Sequence, residues 1–143
     1  MSVANEVAAA AARNDYAGVL ARVPYAQFIG MECERFGDEL VFRLPPKKSN
    51  LGNPMLPALH GGVISGFMEM AASVQLMVMM QVTRVPRIVD FSVDYLRAGY
   101  AREAYCECKI TRQGRRVANV SISAWQTNRK QPIATARAHF LLD

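Results

Sequence analysis

Histidine and cysteine, the usual ligands of zinc and haem iron, are scarce in this sequence: its 143 residues include two histidines and three cysteines. Cys106 and Cys108 form a C-x-C on a predicted strand, and neither His60 nor His139 lies near them. A zinc site would therefore lack ligands, and we expect no metal. An odd number of cysteines without framework spacing also excludes a disulfide scaffold and predicts free thiols in the reducing cytoplasm.

Aromatic residues are also few, at 8% of the chain with a single tryptophan. The basic residues have no interleaved aromatics and match no nucleic-acid-binding motif, which argues against a nucleic-acid partner. The N-terminal stretch MSVANEVAAAAARNDY has no basic region ahead of an apolar core, so no secretory signal is predicted. With 51% hydrophobic and 20% charged residues, the chain has the composition of a folded domain with one core.

Only one hydrophobic run, residues 63–82, has the length of a membrane span, and it contains Glu69 and Gln75. Inserting a charged side chain at the centre of a single transmembrane helix costs about 2.5–3.5 kcal/mol of free energy. The run is apolar on nearly every side of a helix, so it should be surrounded by protein. We therefore predict a buried core helix from about Gly61 to Gln81 and no membrane association.

The remaining segments predict an α+β fold. Residues 3–23 are Ala-rich and predict an amphipathic helix that Pro24 ends, and residues 28–44 predict two short strands around a Gly37-Asp38 turn. Residues 45–57 form a turn-rich loop. Four strand-like segments separated by hairpin-sized turns then predict an antiparallel meander over residues 87–96, 102–112, 116–127 and 132–142. One sheet covers only one side of a helix, so we expect a partner subunit on the other side.

The net charge of +5 is unevenly distributed along the chain. From Arg84 onward there are eleven Lys and Arg against five Asp and Glu, whereas the preceding residues have six against seven. A basic surface on the C-terminal portion suits a polyanion, either a nucleic acid or a phosphorylated small molecule such as coenzyme A. Solvated strand faces would give the same excess.

Polar residues form one stripe on the predicted central helix. Ser65, Glu69 and Ser73 follow each other at intervals of four residues, so they lie on one face among apolar neighbours. Burying an unpaired carboxylate costs free energy or raises its pKa, and such a group beside a cleft is a candidate general base or nucleophile. The alternative is a structural ion pair with an arginine of a strand, such as Arg87 or Arg97.

His60, Gly61 and Gly62 begin the same helix. Two glycines at a helix N-terminus let a ligand approach the backbone N–H groups, which can stabilise an oxyanion. His60 has three open roles: it caps the helix, shapes the loop, or hydrogen-bonds the substrate and transfers protons. Gly62 and Glu69 are roughly 10 Å apart along the helix axis. We therefore predict a two-fold dimer in which Glu69 of one subunit faces the glycines of the other.

The segment LHGGVISGFMEMAAS, residues 59–73, resembles the signature of hotdog-fold acyl-CoA thioesterases of the phenylacetate-pathway (PaaI-like) branch. In that pattern an acidic residue follows nine positions after the histidine, and here it is Glu69. The segments VDFSVDYLRAG, ITRQGRRVANVSISAWQ and ATARAHFLL resemble later strands of the family. The resemblance implies a hotdog fold, a curved antiparallel sheet wrapped around the central helix, over residues 25–143. Residues 1–24 would form an N-terminal helical extension.

The resemblance also implies roles for individual residues. Glu69 would be the general base or nucleophile, and His60, nine positions earlier, is a further catalytic candidate. Gly61 would donate its N–H to the thioester oxygen, and Ser73 would help to place water. The substrate, including its coenzyme A portion, would contact Asn53, Gly62, Arg97, Gly99, Arg115 and Arg116. The spacing from Asn53 to His60 is one residue longer than in the family pattern, and Pro54 takes the matching place.

The activity that the resemblance implies is hydrolysis of a small or medium acyl-CoA, aromatic acyl groups included, to the acid and free coenzyme A. The enzyme would be a homodimer or a dimer of dimers with sites at the subunit interface. Coenzyme A is part of the substrate, and no cofactor is implied. Two alternatives stay open: a hotdog dehydratase or hydratase, whose histidine usually lies well apart from the helix, and a non-catalytic acyl-CoA-binding protein.

Overall fold

A computed structural model describes residues 2–53, 55–80 and 86–142 of the chain. Its α-helices are α1 (Val3–Ala12), α2 (Tyr16–Ala21), α3 (Pro24–Ile29) and α4 (Gly61–Met80). Its strands are β1 (Glu32–Phe36), β2 (Glu39–Leu44), β3 (Leu51–Asn53), β4 (Ala58–Leu59), β5 (Arg87–Tyr95), β6 (Ala104–Gln113), β7 (Val117–Trp125) and β8 (Ala134–Leu141). A 3-10 turn, Lys48–Asn50, precedes β3.

Six of these strands form one antiparallel sheet in the order β1-β2-β6-β7-β8-β5, while β3 and β4 pair separately. Helix α4 contacts five of the six strands in this sheet, namely β2, β6, β7, β8 and β5, so the sheet wraps around the helix. The predicted α+β fold with one long central helix is confirmed. α4 begins at Gly61 as predicted, and the predicted last residue, Gln81, lies outside the described residues.

Helix α4 is long and apolar enough for a membrane span, with a mean hydropathy of 1.5, yet it lies in the core of the fold. Its side chains Phe67, Met68 and Leu76 are almost completely buried. Strand β8 presents small side chains to the same core, namely Ala134, Ala136 and Ala138. Because alanines occupy little space above a sheet, they leave room for the large side chains of the helix.

The three cysteines are free thiols, as the sequence predicts. Cys106 and Cys108 are both buried on the core side of β6. Burial raises the pKa of Cys33 to about 12, so this thiol stays neutral near neutral pH. Because both of its cysteines are buried, the C-x-C of β6 is part of the hydrophobic core.

The predicted four-stranded meander is wrong in one connection. β6, β7 and β8 are joined in sequence as neighbours, but β5 pairs with β8 and not with β6. Residues 96–103 are therefore a crossing connection, and the predicted hairpin turn at residues 97–99 does not form. The Gly99 carbonyl accepts a hydrogen bond from the Leu59 N–H at 2.8 Å, which holds this connection against β4.

The single N-terminal helix predicted over residues 3–23 is also wrong, because the chain turns twice within it. Asn14 adopts a left-handed φ of 57°, and the Asp15 carboxylate accepts a hydrogen bond from the Gly18 N–H to begin α2. Pro24 is the first residue of α3 rather than the end of the helical region. Val7 and Val19 are buried in the same core cluster as α4.

Replacing Phe67 with alanine should destabilise the protein by about 3–5 kcal/mol, because the change leaves a cavity between α4 and the sheet. Phe67 is 1% exposed. The matched control is Phe36→Ala on β1, where the side chain is 59% exposed and the loss should stay below about 1 kcal/mol. Urea denaturation at one fixed protein concentration measures both values. Equal losses would contradict the core assigned to α4.

Candidate active site

Glu69 lies half-buried on α4, and burial raises the pKa of its carboxyl above the ordinary value of 4.5. Among the described residues, no side chain forms a hydrogen bond or an ion pair with this carboxylate. Arg87 and Arg97, the alternative partners, are exposed and do not pair with it. The described surroundings of Glu69 therefore desolvate the carboxylate without neutralising it.

Ser65 and Ser73 lie one turn before and one turn after Glu69. The Ser65 hydroxyl donates a hydrogen bond to the Gly62 carbonyl at 3.2 Å, so it is engaged within the helix. Ser73 is buried, at 7% exposure. Solvent exposure along the polar stripe therefore decreases from the first turn of α4 to the middle of the helix, and the carboxylate lies between the two serines.

The first turn of α4 has one backbone donor to spare. His60 Nδ1 accepts a hydrogen bond from the Gly62 N–H at 2.9 Å, and the His60 carbonyl accepts from the Val63 and Ile64 N–H groups. Within the described chain, the Gly61 N–H has no acceptor. It points to the start of the helix, where the dipole favours a negative charge. This donor is available to a ligand.

Glycine at residues 61 and 62 has two different explanations. Neither residue has a positive φ, so the backbone conformation demands glycine at neither position. A Cβ on Gly62 would lie 3.0 Å from His60 Nδ1, so the histidine cap requires Gly62. A Cβ on Gly61 would meet only the Tyr95 ring, at an ordinary 3.5 Å. Packing within the described chain therefore does not require glycine at residue 61.

In the structure His60 caps the helix, which is one of its three predicted roles. Its own N–H donates to the Asn50 carbonyl at 2.9 Å, and the buried Asn50 side chain donates to the Ile29 carbonyl at 2.9 Å. Because Nδ1 accepts from Gly62, the proton of the neutral ring is on Nε2. Asn50 links α3 to the start of α4, and sequence reasoning missed it because nothing in the loop composition distinguishes it.

Two of the predicted contact residues have local roles in the structure. The exposed Asn53 side chain accepts a hydrogen bond from the Met55 N–H at 3.0 Å, so it stabilises its own loop. Pro54, between them, lies outside the described residues. Gly99 is buried, and a Cβ there would lie 3.2–3.3 Å from the side chains of Ile133, Ile64 and Leu59. Close packing therefore accounts for this glycine.

The predicted arginines lie at opposite ends of the sheet. Arg97 follows β5 near the start of α4, where its N–H donates to the Ile133 carbonyl. Arg115 and Arg116 lie in the β6–β7 turn, at the other end of β7. β7 has nine residues, so its two ends are roughly 27 Å apart. One chain does not bring these arginines to one ligand.

Gly61 and Glu69 are also separated within one chain. Eight residues of helix correspond to about 12 Å along its axis. A single carbonyl therefore does not contact both the free N–H and the carboxylate of the same helix. Large apolar side chains in the segment before α4 and at the end of β5 and after it are half or more exposed, a feature that sequence reasoning missed: Met55, Leu56, Tyr95, Leu96 and Tyr100.

Comparison with known proteins identifies relatives of this arrangement. The Thioesterase superfamily pattern matches residues 56–133, more than half of the chain. A protein from Chromobacterium violaceum is 45% identical over 96% of both chains, with a TM-score of 0.78. Two more distant structures share the fold. A thioesterase from Haemophilus influenzae is 17% identical over 82% of this chain and 80% of its own, with a TM-score of 0.71.

The second is a candidate thioesterase from Ralstonia eutropha JMP134, named as related to phenylacetic acid degradation. It is 18% identical over 83% of this chain and 89% of its own, with a TM-score of 0.73. No match was found among curated proteins. The wrapped antiparallel sheet, the long central helix and these relatives define a hotdog-fold protein. The chain belongs to the thioesterase superfamily.

Replacing Glu69 with glutamine should stabilise the protein near neutral pH. Since burial raises the pKa of Glu69 above 4.5, the folded state holds this proton more tightly than the unfolded chain. Wild type therefore loses stability as the pH rises through the raised pKa. The advantage of Glu69→Gln in melting temperature should be smallest well below pH 4.5 and should grow toward neutral pH.

Circular dichroism melts over a pH series measure this difference. Glu34→Gln is the control, because Glu34 is exposed on β1 and the change alters the net charge equally. A Glu69→Gln variant that is less stable than wild type at neutral pH would indicate a stabilising partner for the carboxylate.

Proposed function

We propose that this protein is an acyl-CoA thioesterase that hydrolyses a small or medium acyl-CoA to the acid and free coenzyme A. One observation carries the proposal: the Glu69 carboxylate has a raised pKa and no described partner, on a helix whose first N–H is also free. A base and an oxyanion donor are the two groups that attack on a thioester carbonyl requires. Membership of the thioesterase superfamily supports the same reaction.

In the proposed reaction, the Glu69 carboxylate takes a proton from water while the water oxygen attacks the thioester carbonyl. The Gly61 N–H donates to the carbonyl oxygen as it becomes negative. The C–S bond then breaks, and the proton passes from Glu69 to the sulfur of coenzyme A. Direct attack by the carboxylate, through an anhydride, uses the same two groups. Ser73, one turn beyond Glu69, is proposed to help place the water.

The proposed site requires two subunits, and the free edge of β5 offers the surface for pairing. β5 has nine residues and pairs with β8 on one side, and none of the described strands covers its other side. Val89 and Tyr95 on this strand are 56% and 51% exposed. A nine-residue edge has a row of unpaired backbone N–H and C=O groups, which a further strand can bind. We therefore propose a two-fold dimer in which the two β5 strands pair, or a dimer of such dimers.

Antiparallel pairing of two β5 strands would place the Arg87 end of one beside the Tyr95 end of the other. Arg115 and Arg116 lie at the Arg87 end, because Leu141 pairs with both Arg87 and Val117. The basic end of one subunit would therefore approach the Gly61 end of its partner. The phosphates of coenzyme A, which forms part of the substrate, suit such a position.

We further propose that the protein belongs to the phenylacetate-related (PaaI-like) branch of the family. We also propose that it acts in the cytoplasm, which the free thiols favour. A non-catalytic acyl-CoA-binding protein and a hotdog dehydratase or hydratase are the alternatives. His60 directly precedes the two glycines of the helix, whereas the histidine of a hotdog dehydratase or hydratase usually lies well apart from the helix, so the position of His60 supports the thioesterase.

Replacing Glu69 with alanine or glutamine should lower kcat by about 10²- to 10⁴-fold, the usual contribution of a positioned general base. A panel of straight-chain, branched and aromatic acyl-CoA thioesters with a thiol-trapping dye measures the rate. Binding of the same thioesters by calorimetry should change little. Glu34→Gln is again the matched control and should keep full activity.

An unchanged rate in Glu69→Ala would remove Glu69 from the mechanism. Binding without thiol release by wild type, on every thioester in the panel, would favour the binding-protein alternative. Water addition to an enoyl-CoA without thiol release would favour the hydratase.

Mixing two inactive variants should restore activity if each site combines two subunits. Glu69→Gln removes the base, and Gly61→Ala adds a methyl group beside the free N–H, for which Tyr95 leaves room at an ordinary 3.5 Å. In a mixed dimer, one site would be intact and the other would carry both defects. Random mixing should therefore recover about a quarter of the wild-type activity. No recovery in mixed dimers, their formation verified by native mass spectrometry of differently tagged subunits, would overturn the shared site.

A further inference from the structure

We propose that Tyr95 is a positioning residue for this reaction. It holds the Gly61–Gly62 peptide group in one orientation, so that the Gly61 N–H stays directed at the thioester oxygen. The inference rests on the proposed function. The observation is that the Tyr95 hydroxyl donates a hydrogen bond to the Gly61 carbonyl at 2.7 Å. Nothing in the helix motif points to Tyr95, which lies 34 residues further along the chain.

The C=O and the N–H of the Gly61–Gly62 peptide group both form hydrogen bonds with side chains, in contacts that are not part of the regular helix hydrogen bonding. Tyr95 binds the Gly61 carbonyl oxygen, and His60 Nδ1 binds the Gly62 N–H at 2.9 Å. These contacts fix the rotation of the peptide group that follows Gly61. Two adjacent glycines have no side chains to restrict their backbone rotation, so the first turn of α4 depends on such contacts.

The preceding peptide is held as well. The His60 carbonyl accepts hydrogen bonds from the Val63 and Ile64 N–H groups at 3.0 and 3.1 Å. The Gly61 N–H belongs to this same peptide and is the donor left over. Its direction is therefore set on one side by the helix and on the other side by Tyr95.

Tyr95 also connects this donor to the sheet. It is the last residue of β5, where it pairs with Ala134 of β8, and its ring would lie 3.5 Å from a Cβ at Gly61. The ring is held between a rigid strand and the helix start, with half of its surface exposed. An oxyanion donor requires a fixed direction more than a high affinity, because it acts on a charge that exists only in the transition state.

The test replaces Tyr95 with phenylalanine, which keeps the ring and removes the hydroxyl. We expect kcat to fall by about 3- to 10-fold, the size of one lost hydrogen bond, while KM changes by less than about two-fold. Tyr100→Phe is the matched control. Tyr100 is equally exposed near the same end of the sheet, and its hydroxyl has no hydrogen bond within the described chain. This control should keep wild-type kcat.

A second readout does not depend on turnover. Amide hydrogen exchange measured by NMR should be faster at Gly62 in Tyr95→Phe than in wild type or Tyr100→Phe, because the pinned peptide gains freedom. The melting temperature should fall only slightly in Tyr95→Phe, because the lost hydrogen bond is exposed, and should stay near that of wild type in Tyr100→Phe. A purely structural role would instead lower stability without separating kcat from KM.

The outcomes separate the two proposals. If wild type hydrolyses thioesters and Tyr95→Phe matches Tyr100→Phe in both kcat and Gly62 exchange, the positioning role is wrong and the thioesterase proposal stands. If wild type releases no thiol from any thioester in the panel, the proposed function fails. In that case, unchanged hydrogen exchange at Gly62 in Tyr95→Phe would show that Tyr95 does not hold the Gly61–Gly62 peptide either. Lower kcat with faster exchange supports both.

Discussion

An apolar helix of 20 residues has to be covered on nearly every side, and the arrangement of this chain follows from that requirement. The six-stranded sheet covers one side of α4, with small alanine side chains on β8 making room for the helix. α1 and α3 contact α4 as well. Together they leave one stripe partly open, and Glu69 lies on that stripe. The cost of desolvating its carboxyl is the reason that its pKa is raised, and it is also the source of the proposed chemistry.

The start of α4 shows how a flexible sequence becomes a defined site. Two glycines give close access to the backbone, but they also remove the side chains that restrict rotation. His60, Asn50 and Tyr95 supply the restriction through hydrogen bonds from the loop and from β5. After these contacts the Gly61 N–H is the donor without an acceptor in the described first turn. The proposed site therefore combines the ends of three separate elements, and its completion depends on a second copy of the chain.

Sequence reasoning worked where the signal is local. The central helix was predicted from its first residue, because a long apolar run broken by Glu69 has no other stable place than a core. The β1–β2 pair and the three hairpin-connected strands β6, β7 and β8 follow from alternation and turn residues. The partner of β5 could not be predicted, because a strand pairs with whichever edge its connection reaches. The division of the N-terminal region into three helices has no local signal, because an Ala-rich stretch suits one helix as well as three.

The sequence by itself determined the fold class and the central helix, and it showed that this helix carries one acidic residue, Glu69, since these features depend on periodicity and on composition within single segments. It left the role of His60 open, and it gave no sign of Asn50 or Tyr95. Only the tertiary structure decided that His60 caps the helix, that Arg97 and Arg115 lie at opposite ends of the sheet, and that none of the described strands pairs with the outer side of β5. Hydrogen bonds and charge separations of this kind join residues far apart in the chain, so no local pattern encodes them.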